Sequence, residues 1–186
     1  MSITVDQARE LMHEWVESPS LRAHMEAVAT CMGGYASEIA PEERDDWIIA
    51  GLLHDMDYER HPTEEEHPYV GVEHLRARGD VRSEITRAIL AHADYSGVPR
   101  EDDLSRYLYA VDELAGFIVA CAKVRPDGIA SLEARSVRKK LKNLKFAAAV
   151  SREDVARGAE DIGLDPAVHI ENCIAFMRAD DQRLGI

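Results

Sequence analysis

A chain of 186 residues with 46% hydrophobic content is enough for one domain with a real core, and 6% aromatic beside 31% charged residues is a poor composition for an all-β sandwich. The formal charge of −13 repels phosphate backbones and argues against a broad nucleic-acid platform, so any anionic ligand must use a local patch. No window of about 18 apolar residues exists, and Ser2 to Glu10 is polar and acidic, so a cytoplasmic protein that does not enter the membrane is expected. The three cysteines, Cys31, Cys121 and Cys173, lack C-x-x-C spacing and read as buried free thiols.

Apolar residues recur at helical spacing almost throughout, and no stretch sustains the alternation of a half-buried strand. The expected fold class is all-α, a compact bundle of about seven to nine helices. We read them over 4–17, 20–40, 42–54, 67–79, 81–92, 103–123, 130–142, 151–163 and 166–180. The chain is read as a single domain over 1–186, with the ligand region at 20–123 and the helices of 130–182 packed on it; no repeat or linker divides it. Pro41-Glu42-Glu43 suits a first turn, Ser151 to Asp154 a cap, and Gly79, Gly97 and Gly163 helix ends. Gly33-Gly34 reads as a break or as a close helix contact.

In the second helix, Leu21, Met25, Val28 and Met32 form an apolar stripe that contains His24, either a core histidine bonded to a carbonyl or a ligand. The third helix is apolar all round from Trp47 to Leu53 and delivers His54-Asp55 into the interior. Asp55 to Glu66 and Ala93 to Asp103 read as loops that each begin beside a suspected ligand. His67 shares a helix face with Val70, Gly71 and His74, and His92 extends the face of Ile85, Ala88 and Ile89. Asp112 lies on the stripe of Leu108, Val111, Ala115 and Ile118, where its carboxylate requires an arginine, a dense hydrogen-bond set or a metal. His24, His54, Asp55, His67, His92 and Asp112 together are hard to satisfy pairwise, and a shared divalent ion resolves them at once. Mixed imidazole and carboxylate donors suit Mn, Fe, Co, Ni or Zn, and helix bundles build such sites from facing side chains.

The order His24, His54-Asp55, Asp112 resembles the H…HD…D signature of the HD superfamily, a family of metal-dependent helical phosphohydrolases. The likeness extends through His67-Pro68-Tyr69-Val70-Gly71-Val72-Glu73-His74-Leu75 and Ala88-Ile89-Leu90-Ala91-His92, spanning residues 24–119. The resemblance implies one divalent ion (Mn, Fe, Co, Ni, Zn or Mg) on His24, His54, Asp55 and Asp112, and in two-metal members a second ion on His67 and His92 with Asp55 as the bridge. His61 and His74 are rivals to His67. Met56-Asp57-Tyr58 departs from the HDIGK-type subgroup, which has glycine and then lysine after the HD pair and the residue that follows it. The implied reaction is hydrolysis of a small phosphorylated molecule, with a nucleotide the leading candidate, by a metal-activated water. Asp55 belongs to the reacting centre, and Asp57 is a candidate to orient that water or take its proton, set against a solvated acid at a helix end.

Residues 123–145 carry eight basic side chains against two acids, a local charge of +6. The strip is either the solvated face of an amphipathic helix or a source of phosphate clamps, with Arg138, Lys139 and Lys142 the candidates. Aromatic interleaving is missing from it, so a nucleic-acid partner is not expected; a homodimer is left open. Two other functions are carried: a two-iron HD-type oxygenase, and a metal-stabilised signalling or binding module without turnover.

Overall fold

The helix starts fall where capping side chains stand. Thr4 and Gln7 close a reciprocal capping box on α1 (Val5–Trp15), and Ser18 with Pro19 behind it opens α2 (Pro19–Ile39). Asp102 accepts the Ser105 amide at the start of α6 (Asp103–Lys123), Ser151 accepts the Asp154 amide on α8 (Arg152–Asp161), and Asp165 accepts the Ala167 amide on α9 (Pro166–Arg178). Between them lie α3 (Arg44–Leu53), α4 (Tyr69–Arg78), α5 (Ser83–His92) and α7 (Ala134–Leu141), and α10 (Asp181–Leu184) follows. The computed structural model describes residues 2–186, and no strand occurs among them.

Nine of these ten helices answer to the nine expected, and the differences are local. Pro41–Glu43 forms a separate 3-10 turn ahead of α3 rather than its first turn. Helix α4 begins at Tyr69 instead of residue 67, because Pro68 disfavours helical backbone at the residue before it, and this leaves His67 in the loop. Helix α7 begins at Ala134 rather than 130, after turns that contain Pro126 and Gly128.

The two longest helices, α2 and α6, form the centre; α3 crosses α2, α5 and α8 pack on α6, and α9 packs on α2 and α7. Gly51 is where α2 and α3 touch: a Cβ there would stand 2.6 Å from the Ala29 Cα, so only glycine allows the backbones this close. Gly33 and Gly34 lie inside α2 rather than at a break, where Ile48 and the Phe176 ring occupy the space their side chains would need. Tyr35, Trp47 and Phe117, with Met12, Met25 and Met32, are fully buried, each contributing about 1.5–3 kcal/mol of transfer free energy. All three cysteines are free and buried. Among the described residues no helix is long and apolar enough to cross a membrane.

Candidate metal centre

Four helices and one loop deliver six side chains to one cleft. His24 stands one turn into α2, His54 and Asp55 follow the last residue of α3, His67 ends the loop before α4, His92 is the last residue of α5, and Asp112 sits midway along α6. Asp55 is the hinge of the arrangement. Its Oδ2 lies 3.7 Å from His24 Nε2 and 3.5 Å from His54 Nε2. Its Oδ1 lies 3.4 Å from His67 Nε2 and 3.5 Å from His92 Nε2. Asp112 Oδ1 completes the first group at 3.0 Å from His24 Nε2 and 3.4 Å from His54 Nε2. Two clusters that could each hold an ion, His24–His54–Asp55 and Asp55–His67–His92, thus share one carboxylate.

The hydrogen bonds behind the imidazoles decide what they present in front. His54 Nδ1 donates to the Gly51 carbonyl at 2.9 Å and His92 Nδ1 to the Ile89 carbonyl at 2.5 Å. A carbonyl only accepts, so in the neutral rings the proton is on Nδ1 and the lone pair is on Nε2. His67 Nδ1 donates to Asp57 Oδ1 at 2.7 Å, with the same result. Three lone pairs therefore converge on the Asp55 carboxylate, and His24 Nε2 faces His54 Nε2 at 3.3 Å. Acceptors facing acceptors in a mostly buried site are repulsive unless positive charge, a metal ion or a proton, stands among them. Ligand atoms held about 2.0–2.2 Å from one ion stand roughly 3–3.6 Å from each other, close to the separations above, and the mixed N/O donors suit a divalent transition metal. The residues fit the group.

The pull of the two carboxylates on a proton shows the same demand for positive charge at this point. Burial lowers the pKa of His54, but the carboxylates of Asp55 and Asp112 outweigh it and hold the imidazole well above its usual value. Burial also opposes ionisation of Asp55 and Asp112, yet the His54 imidazole first, and the hydrogen bonds of the neighbouring histidines, hold both carboxyls below the ordinary range. No arginine or lysine stands within 4.0 Å of Asp112 among the described residues, so the salt-bridge reading of that residue falls away. Asp112 is also less dry than its stripe implied, with its side chain 20% exposed. Helix α6 turns Tyr109, Asp112, Glu113 and Gly116, a set spaced i, i+3, i+4, i+7, towards the cleft.

Asp57 is neither a solvated acid nor free to handle a water. It is fully buried, with Oδ1 on the His67 ring and Oδ2 accepting the Gly71 amide at 2.6 Å. A side chain at Gly71 would press on Asp57 at 3.1 Å, which accounts for glycine four residues after His67. The rivals of His67 are occupied elsewhere: His61 pairs with Glu66 at 3.1 Å, and His74 packs on Trp15 at 4.8 Å.

The cleft above these ligands has a volume of about 420 Å³ and is walled by Tyr58, Tyr95, Tyr109, Glu113 and Asp154, with Ala149 and Val150. Burial first, and then the neighbouring Asp112 charge, push Glu113 up to about 7. At the rim, Arg157 joins Asp94, Asp154 and the Tyr109 hydroxyl, while Arg100 Nη1 binds Asp94 at 2.8 Å and covers the Tyr109 ring. The expected clamps are not here. Arg138, Lys139 and Lys142 do not line the cleft, because α7 packs on α9 and α6 away from it, and Arg138 and Lys142 line a different cavity. The sequence reading missed Glu113, Tyr109, Asp154 and Arg157. The α6 spacing was available for the first two, but nothing in the sequence says that α8 reaches the cleft.

An all-helical protein with four imidazoles and two carboxylates converging on one cleft is, by class, a candidate dinuclear metal protein. The HD domain family model matches residues 21–116, just over half of the chain, and the protein belongs to that family. Neither the curated proteins nor the solved structures give a match to it.

Proposed function

We propose that this chain is a metal-dependent phosphohydrolase that acts on a small phosphorylated molecule through a two-ion centre. The observation that carries the reading is the division of the Asp55 carboxylate, one oxygen facing His24 and His54 and the other facing His67 and His92. His24, His54, Asp55 and Asp112 would hold one divalent ion and Asp55, His67 and His92 a second, which would supply a water nucleophile at neutral pH and polarise the phosphoryl oxygens. The protein's own part is positional. The Gly51 and Ile89 carbonyls and Asp57 fix ring orientation and tautomer, and Asp55 with Asp112 sets the negative charge that holds the cations.

The walls narrow the substrate. A space of about 420 Å³ suits a small ester rather than a polymer. Among the described residues no lysine or arginine lines it, so the phosphate charge has to be met at the metal centre. Tyr58 and Tyr95, close to half exposed, offer ring faces at the mouth that suit the base of a nucleotide. The exposure of Asp55, Asp112 and His24 to this cleft favours turnover over a purely structural ion, which has no need of an open side.

The test is a panel of phosphomonoesters, phosphodiesters and nucleotides assayed with Mn²⁺, Co²⁺, Ni²⁺ and Mg²⁺, comparing the native protein with Asp55→Asn. Metal-dependent phosphate release that the substitution abolishes is expected. Release indifferent to the substitution would sink the reading, and bound iron with substrate-dependent O₂ uptake would replace it with an oxygenase.

A further inference from the structure

A second cavity, of about 300 Å³, lies on the other side of the wall formed by α6 and α8. Asp112 and Glu113 face the metal cleft, while the next residue, Leu114, faces this cavity; on α8 Asp154 faces the cleft, and Val155 and Ala159 face the cavity. Leu141 of α7 with Pro166 and Ile170 of α9 close the apolar lining. Such a space removes an apolar chain or ring from water.

Its polar groups are all cationic apart from His169, whose two ring nitrogens are engaged by the Tyr35 hydroxyl and the Ala110 carbonyl. Arg138 and Lys142, one helical turn apart, are exposed beside it. In the basic strip the ion pairs formed are Arg125–Asp127 and Arg135–Glu133; neither Arg138 nor Lys142 has a carboxylate within 4.0 Å among the described residues. The third cation is Arg152. Its guanidinium packs on the Phe117 ring and donates to the carbonyls of Asn143, Phe146, Ala147 and Val150, none of which carries a charge, so it adds positive potential to the wall without a carboxylate to balance it. An unbalanced guanidinium in the wall of an apolar hollow, with two unpaired cations at its edge, suits an anion.

We infer that this cavity binds a small amphiphile, an apolar body seated between α6, α8 and α9 with one anionic head held by Arg138 and Lys142, in the positive field to which Arg152 adds. The proposal does not depend on the chemistry of the metal cleft. The two sites nevertheless share the α6–α8 wall, so an occupant would bear on the backbone that carries Asp112.

Calorimetric titration of the metal-loaded protein with octanoate, octyl sulfate and octanol tests it. Octanoate or octyl sulfate should bind at least about tenfold more tightly than octanol, because charge-assisted hydrogen bonds add to the burial of the same chain. The arms also separate a carboxylate head from a sulfate-like one. Arg138→Gln combined with Lys142→Gln should weaken the preferred anion about tenfold and leave octanol unchanged. Both positions are exposed, so the fold is not put at risk. Ala156→Phe, at an exposed residue of the lining, should block all three ligands. Equal affinity for octanol and the anions, anion binding that survives Ala156→Phe, or no binding of either anion at millimolar concentration would each overturn the proposal.

Discussion

The two halves of the metal centre are built by different means. His24, His54 and Asp112 are fixed by helices in direct contact: α3 is pressed on α2 at Gly51, and His54 is fully buried with its ring anchored to a main-chain carbonyl. His67, by contrast, comes from a loop and is aimed by a buried side chain, Asp57, itself held by the Gly71 amide. A ligand fixed by backbone contact depends on packing alone, whereas a ligand fixed through a second carboxylate can be loosened by one substitution elsewhere. The first half should therefore hold its ion more tightly than the second.

Substitutions can break that difference in order of size. Asp55→Asn weakens both halves; it should lower phosphohydrolase activity by on the order of 10³-fold and remove bound metal, read by elemental analysis, since the metals supply several kcal/mol of transition-state stabilisation. Chelation reaches the same metal-free state without mutation, and an ion held at about 100-fold above its Kd would leave behind a drop in Tm of about 5–10 °C. His24→Gln should remove one equivalent of metal and leave the His67–His92 half loaded; loss of both equivalents would mean that the halves are not separable. Asp57→Asn should weaken only the second ion, by about 10–100-fold, with the first retained. Gly71→Ala, which presses a methyl group on Asp57, should do the same by less than about tenfold with little change in Tm. If Asp57→Asn instead released the first ion, the contrast between the halves would be wrong.

What was legible in the sequence follows the range of each signal. The helices could be placed because capping and apolar spacing are local, His24 and Asp112 could be singled out because each interrupts an apolar stripe, and His54-Asp55 because the pair ends a run that is apolar all round. His67 could not be separated from His61 and His74, since the choice depends on how residues 55–68 fold back, and the pairing of Asp57 with His67 is a product of that same fold. The basic strip misled for a related reason. Amphipathic spacing tells which side of α7 is buried, through Val137 and Leu141, but not which hollow its cations stand beside. The wall residue Asp154 and the rim residue Arg157 lie some forty residues beyond Asp112 and arrive only through the packing of α8 on α6.

The main-chain contact between Gly51 and Ala29 has a consequence for how the protein acquires its ions. The separation of the two helices is set by atoms that no metal touches, so the spacing of the His24–His54 half should be the same whether filled or empty. Loading then requires no refolding, one ion can displace another of similar radius, and the species carried in the cell would be decided by supply more than by fit.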